Sequence, residues 1–217
     1  MRISNPNISY FLVFVPFVVF ATLFCGCESF DPVEDIPSFI QVDRTTFVTT
    51  EDQGDPASRI EDVWVTADEE FIGVFPIPSR IPLHNYGNTK IKLSPGIRIN
   101  GISSARSVHP FYTEYESNIP LIADSTVVIN PTVEFNSLAD IVWTEDFDSQ
   151  GISILSTNNS EGTPERNSDP ETEFMGDKAL LRLQEGQLKF ECISDTEFDL
   201  PGSGNSVILE FNYLNNN

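Results

Sequence analysis

Apolar and polar residues alternate with a period of two along most of this 217-residue chain. In Lys90-Ile91-Lys92-Leu93, the two lysines lie on one side of an extended strand and the two aliphatic side chains on the other. Every second residue from 207 to 213 is apolar in the same way. We find no convincing segment with the 3.6-residue repeat of an amphipathic helix. The pattern therefore predicts an all-β protein.

Nine segments have the alternation and composition of strands. They lie at residues 38–42, 62–66, 70–74, 90–94, 97–100, 126–130, 179–183, 187–193 and 207–213. Turn-forming residues separate several of them, at 54–56, at 85–88 and at Ser94-Pro95-Gly96. Ala67-Asp68-Glu69 joins two strong strand segments and predicts a tight hairpin.

The first 27 residues have a different pattern. Arg2 precedes an apolar run over residues 10–25, and Gly26 then precedes Cys27. This order of basic, apolar and small residues predicts an export signal. A transmembrane helix is the alternative, but the run is shorter than the roughly 20 residues that a spanning helix needs. It also contains Pro16.

The Gly26-Cys27 junction resembles the lipobox of bacterial lipoprotein signals. The resemblance implies that residues 1–26 are removed, that Cys27 is acylated with chains such as palmitate, and that lipid on Cys27 holds the protein on a membrane. A plain secretory signal remains the alternative.

Acidic residues follow Cys27, namely Glu28, Asp31, Glu34 and Asp35. Together with Pro32, they predict a flexible tether over residues 27–36. An acidic stretch in this place resembles the surface-export signal of Bacteroidota-type outer-membrane lipoproteins. The resemblance implies a protein anchored in the outer membrane and exposed at the cell surface, with a simple acidic linker as the alternative.

The charge balance narrows the possible partners. Removal of residues 1–26 would leave 191 residues with 11 basic and 33 acidic side chains, a net charge of −22, because Arg2 is the only charged residue lost. Such a charge argues against nucleic acid and against adsorption to anionic lipid. The 17 phenylalanines and many aliphatic residues predict a packed core rather than disorder.

Two β domains are expected. Residues 62–76, followed by 90–97, resemble a PEGA-type β-sandwich repeat, with a strand, a short turn, a strand containing Ile72-Gly73, a proline and a strand running into Gly96. The resemblance implies an Ig- or PEGA-like sandwich, which we place at residues 37–136, in a kind of domain that binds or spaces other components without catalysis.

The second domain is placed at residues 140–217. Its opening residues, 143–148, resemble the first strand of a jelly-roll module of the lectin or carbohydrate-binding kind. A jelly roll uses about eight strands, and we count four or five after residue 140. We therefore expect an incomplete jelly-roll-like domain, or one that another chain completes.

Candidate chemical sites are sparse, and we predict no catalytic, cofactor-binding or metal-binding residue. Asp146 and Asp148 share a strand face and could contribute to a calcium site, but a solvated strand edge is the favoured interpretation. His84 and His109 have no metal-ligand spacing and are expected in loops. Cys25 would be removed with the signal and Cys27 would carry lipid, so Cys192 would be the one remaining free cysteine. Strand parity places it in a core as a small hydrophobe.

Five aromatic residues are candidates for stacking against sugar rings: Trp64, Tyr86, Tyr112, Tyr115 and Trp143. Core packing is the alternative, and it is favoured for the two tryptophans because each lies in an apolar strand.

The expected function is that of a lipid-anchored, non-catalytic surface protein, an accessory or structural subunit of an outer-membrane complex. The alternative is a glycan-binding module that serves a neighbouring transporter or enzyme. The expected partners are a membrane through lipid on Cys27, an outer-membrane protein and a polysaccharide, but not nucleic acid. An open strand at 207–213 would favour the protein partner.

Overall fold

The computed structural model describes residues 34–56, 58–148, 151–167 and 177–214. Within these ranges the protein is all-β, with fourteen strands and two short 3-10 segments at Glu51–Gln53 and Ile99–Gly101. This confirms the fold class expected from the period-two alternation.

The strands follow one another along the chain with short connections. They are β1 (Ser38–Val42), β2 (Thr46–Val48), β3 (Asp62–Ala67), β4 (Glu70–Pro76), β5 (Ser79–Leu83), β6 (Gly87–Arg98), β7 (Arg106–Val108), β8 (Tyr115–Leu121), β9 (Thr126–Val128), β10 (Thr132–Glu134), β11 (Ile154–Ser156), β12 (Glu165–Asn167), β13 (Lys178–Leu180) and β14 (Cys192–Ser194).

Two sheets form a β-sandwich. The smaller has the strand order β5-β1-β9, and the larger has the order β4-β3-β6-β7, with β8 also paired to β6. Their facing side chains form one buried cluster, which combines Ile40 and Ile81 of the small sheet with Val65 and Leu93 of the large sheet. These residues occupy the inward positions of the alternating pattern, and the polar positions between them face outward.

The predicted hairpin between β3 and β4 is confirmed. Asp68 and Glu69 form its two-residue turn, with φ angles of 46° and 69°. Two consecutive residues with positive φ produce the tight turn whose twist matches that of paired strands. Asp68 also accepts a hydrogen bond from the backbone N–H of Lys90 through its carboxylate over 2.8 Å, which ties the turn to β6.

The turn predicted at 94–96 is wrong, because β6 passes through these residues as one strand. Its second neighbour changes here, from β8, which pairs as far as Leu93, to β7, which pairs from Gly96 onward. Pro95 lies where the neighbour changes: its carbonyl accepts a hydrogen bond from the N–H of His109, just after β7, but with no N–H of its own it cannot donate the second bond of that pair. The segment at 97–100 is correspondingly not a separate strand.

A second, smaller core lies beside the sandwich. β2 and β10 pair in parallel, and Phe47 and Val133 from these strands pack with Tyr112. An isolated bridge joins Tyr112 to Phe135. This packing fixes the loop that follows β7.

Residues after β10 are organised differently. β11 pairs with β14 and β12 with β13, each as an isolated antiparallel pair. None of the described residues from 134 to 214 is buried. The strands predicted at 179–183 and 187–193 are each only three residues long, and the segment predicted at 207–213 forms no strand. That segment has alternating apolar residues but no neighbouring strand to pair with.

Candidate functional site

His109 directly follows β7 and lies in the interior of the protein. Its backbone N–H donates to the carbonyl of Pro95 over 3.0 Å, which extends the pairing of β7 with β6 by one step. Its side chain is only 1% exposed. His109 thus lies in a loop, as expected, but it is buried, and a buried imidazole is costly unless its nitrogens are hydrogen-bonded.

Both ring nitrogens of His109 have a partner. The backbone N–H of Phe111 donates to Nδ1 over 3.2 Å, so this nitrogen carries no proton. In the neutral ring the proton is then on Nε2, which lies 2.7 Å from Oε1 of Glu210. Nε2–H therefore donates to the carboxylate of Glu210.

Tyr112 supplies a second donor to the same carboxylate. Its hydroxyl lies 3.1 Å from each carboxylate oxygen of Glu210, and its ring stacks on the His109 ring with centroids 3.6 Å apart. Burial, then the negative charge of Glu210 and the hydrogen bond to it, raise the pKa of Tyr112 above its ordinary range. The phenol therefore remains a protonated donor.

Glu210 is ionised at neutral pH. Partial burial alone would raise the pKa of its carboxyl group, but the hydrogen bonds that His109 and Tyr112 donate to the carboxylate outweigh burial and lower the pKa. We call His109, Tyr112 and Glu210 the carboxylate clamp. It joins residues 101 positions apart in the chain and forms a binding site for one carboxylate.

The clamp holds an otherwise exposed apolar stretch, residues 207–214, which we call the presented segment. On either side of Glu210, Leu209 is 69% exposed and Phe211 is 71% exposed. The rings of Phe211 and Tyr213 lie side by side with centroids 6.0 Å apart. No backbone–backbone hydrogen bond joins the presented segment to another part of the described chain. One polar side chain thus faces the protein while the apolar row faces solvent.

An open cleft of about 480 Å³ adjoins the clamp. It is lined by His109, Tyr112, Val108, Pro110, Thr113, Glu114, Glu116 and Asn136. Its two glutamates are already paired, Glu114 with Lys92 over 3.4 Å and Glu116 with Lys90 over 3.0 Å. The two lysines therefore largely balance the negative charge of the cleft wall, and the stacked rings of His109 and Tyr112 lie beside it.

The outward face of the large sheet carries a second group of functional candidates. The rings of Trp64 and Phe71 lie 5.7 Å apart, and Phe71 is 56% exposed. Beside them, the carboxylate of Asp62 is 1% exposed and pairs with Arg106 through Oδ2, while its Oδ1 has no hydrogen-bond partner. Gly96 lies directly against Asp62, and a Cβ atom added at residue 96 would overlap Oδ1 of Asp62.

The five aromatic residues expected to form a sugar platform do not lie on one surface. Tyr112 is buried in the clamp, Tyr115 packs against the sandwich core, and Trp143 lies beside Phe198. Of the five, Trp64 lies on an outward sheet face beside Phe71, and Tyr86 is exposed between β5 and β6.

The predicted carboxylates at 146 and 148 accept hydrogen bonds from the backbone, one local and one long-range. Oδ1 of Asp146 accepts the N–H of Asp148 over 2.9 Å, and Oδ1 of Asp148 accepts the N–H of Asp177 over 2.8 Å. Among the described residues, no group of three or more histidine, cysteine or acidic side chains is placed to hold a metal ion.

Other predicted residues are dispersed. Cys192 is a free thiol on β14 and is only partly buried, since no core encloses this strand. His84 is exposed. Cys27, with the apolar run that precedes it, lies outside the described residues. In the described chain, no helix is long and apolar enough to cross a membrane.

Sequence reasoning missed the carboxylate clamp because its members are far apart in the chain. The available signal was Glu210 itself, the single charged residue among the apolar positions of 207–214. Its partner could not be identified without the fold.

Comparison with protein-family models, curated proteins and solved structures finds no match to this chain.

Proposed function

We propose that this protein is a lipid-anchored, non-catalytic surface subunit that binds another protein through its C-terminal region. The presented segment carries the proposal, because it offers an apolar row and unpaired backbone groups while Glu210 fixes it to the protein body. An exposed segment of this kind can be bound by addition, as a new strand, to the edge of a partner's sheet.

The region around the segment supports the same proposal. From residue 134 to 214 the described chain has no buried residue, and Leu181, Ile193 and Leu200 are exposed there in addition to the presented segment. Covering one such side chain contributes about 1.5–3 kcal/mol. A protein partner that covers several of them gains enough to offset part of the cost of association.

The proposed anchor is supported by the Gly26-Cys27 junction, and the proposed outer-membrane location by the acidic residues that follow Cys27. Replacing Cys27 by Ser (Cys27→Ser) would prevent acylation and is expected to release the processed protein from the membrane fraction. Continued membrane partition of processed Cys27→Ser would contradict the lipid anchor but not the partner-binding segment.

The partner is tested by mild solubilisation of outer membranes, capture through a tag after Asn217, and mass spectrometry. We expect a stoichiometric outer-membrane protein with the unchanged chain and its loss with the double variant Leu209→Lys/Phe211→Lys. Leu188→Lys, at a residue 88% exposed outside the segment, is the matched control and retains the partner. Equal recovery with the double variant would rule out binding through the segment.

The glycan-binding alternative is supported by one observation, the exposed pairing of Trp64 and Phe71 on an outward sheet face. Aromatic faces of this kind stack on the apolar faces of rings. Affinity electrophoresis in polysaccharide gels tests it: retardation that Phe71→Ala abolishes and Leu209→Lys leaves intact would favour glycan binding.

A further inference from the structure

The same chain contains both surfaces that strand addition requires, a segment that can be donated as a strand and a free sheet edge that can accept one. We call them the donor half and the acceptor half. The donor half is the part of the presented segment at 207–213, where Leu209, Phe211 and Tyr213 face solvent. Its single charged residue, Glu210, already accepts hydrogen bonds from both donors of the clamp. The segment is therefore attached to its own protein body through Glu210, while its apolar side chains remain exposed.

The acceptor half is the free edge of β4. Among the described strands, β4 pairs only with β3, so its second edge has no sheet partner. β4 spans seven residues, the same length as 207–213, and Phe71 and Val74 are exposed on it. Glu70 is its one charged residue. An unpaired edge with so little charge is a template for another strand.

The hydrogen bonds at the end of β4 identify the groups that face the free edge. The N–H of Ile77 donates to the carbonyl of Glu61 over 2.9 Å, so residue 77 points toward the chain that continues into β3. Because backbone groups alternate in direction along a strand, those of Phe75 also point to β3 and those of Val74 point to the free edge. Val74 is thus a backbone donor and acceptor for an added strand.

The segment cannot reach this edge within its own molecule while the clamp is closed. Glu210 is bound beside β7, and β7 lies three strands away from β4 in the order β4-β3-β6-β7. At the usual spacing of strands, that separation is about 14 Å. The donor segment and the acceptor edge therefore lie at opposite sides of the same sheet.

We propose that residues 207–213 of one copy add as a strand to the free edge of β4 in a second copy. The two surfaces are different, so the contact is head-to-tail and leaves one donor and one acceptor unused at the ends of each assembly. Repetition builds an open chain of subunits. This inference goes beyond the proposed function, since it concerns copies of this chain and requires no other protein.

The charge of the protein sets the conditions for assembly. Two copies with a net charge of about −22 each repel one another. Salt shortens the range of that repulsion, with a Debye length of about 10 Å at 0.1 M and about 3 Å at 1 M. Association should therefore strengthen as salt is raised, whereas an interface made of ion pairs would weaken.

Sedimentation equilibrium of the full chain, purified in density-matched detergent, tests the proposal. The unchanged chain is expected to form concentration-dependent oligomers that grow with salt. The donor variant Leu209→Lys/Phe211→Lys and the acceptor variant Val74→Pro are each expected to be monomeric, because one half of every joint is blocked. Leu188→Lys is the matched control and oligomerises like the unchanged chain.

Mixing the two blocked variants gives the decisive result. The donor variant retains its β4 edge and the acceptor variant retains its segment, so an equimolar mixture is expected to form dimers and nothing larger. Val74→Lys serves as a second acceptor variant if Val74→Pro changes the circular dichroism spectrum. A monomeric unchanged chain at all salt concentrations, oligomers in either blocked variant, or a mixture that stays monomeric would overturn the proposal.

Discussion

At the scale of single residues, the clamp shows that buried polar side chains require hydrogen-bond partners. His109 and Tyr112 are buried next to each other, and each needs a partner for its polar atoms. Glu210 satisfies both with one carboxylate. The result is a contact that depends on the ionisation of one acidic residue.

Replacing Glu210 by Gln should weaken the attachment of the presented segment near neutral pH. The pKa of Glu210 is lowered in the folded protein, so its stabilising effect is present above the ordinary pKa of about 4.3 and is lost as pH falls through the lower folded value. Because the side chain is about half exposed, water screens the effect to at most about 1 kcal/mol.

Thermal unfolding followed between pH 7 and pH 3 checks this. The difference between the unchanged chain and Glu210→Gln is expected to shrink as the solution becomes acidic. Glu185→Gln, at an exposed residue of the same region, provides the control. A difference that stays constant across the range would show that Glu210 acts only through its shape.

Gly96 provides a second residue-scale prediction. A methyl group at this position would overlap Oδ1 of the buried Asp62 and displace it from its pairing with Arg106. Gly96→Ala is therefore expected to destabilise the protein by about 1–3 kcal/mol. Gly202→Ala, with no atom within 4 Å of the added group, should stay within about 0.5 kcal/mol of the unchanged chain in urea unfolding; equal effects would contradict the packing argument.

At the scale of elements, the β3–β4 hairpin illustrates what alternation and turn chemistry can predict. The strands at 38–42 and 62–66 were expected within one or two residues of their ends, because each places apolar side chains on the core face at every second position. The strand at 70–74 was also expected, but Ile72 and Phe75, three residues apart, are the side chains that pack against the core, because its pairing with β3 is irregular. The turn residues were also expected, although Glu69 has a positive φ that usually favours glycine.

Glu69→Gly should consequently stabilise the hairpin. Glycine adopts the φ of 69° without the steric cost that a side chain pays, and the change is expected to add about 0.5–1 kcal/mol to the free energy of unfolding. Glu69 also pairs with Lys90 over 3.3 Å, but both side chains are solvated and such a pair contributes little. Chemical unfolding measures the difference, and a loss of stability would show that the Lys90 pair outweighs the backbone strain.

At the scale of the whole molecule, the chain divides by burial. The sandwich from β1 to β10 encloses two buried clusters, whereas the described residues after Glu134 enclose none. Because most of the stability of a domain comes from buried apolar surface, the two parts should open with different free energies.

Hydrogen exchange followed by mass spectrometry tests this division. Amides in β1, β3 and β6 are expected to exchange slowly, and those in β11, β13 and β14 to exchange at least about tenfold faster, since each 1.4 kcal/mol of local stability corresponds to a factor of ten. Slow exchange throughout β14 would instead indicate a stable second core. Binding of a partner or of a second copy should slow exchange in the presented segment.

The strand-rich character of the protein, the inward residues of the sandwich and the tight β3–β4 turn were predictable from the sequence, because they depend on side-chain parity and local backbone preference. The alternation at 207–213 was also visible in the sequence, but it predicted a strand, whereas the structure has an exposed apolar row. That β6 runs through Pro95 and that Glu210 meets His109 and Tyr112 became evident only in the fold. Those outcomes depend on which strands become neighbours. A contact between residues 101 positions apart produces no repeating pattern in the sequence from which it could be predicted.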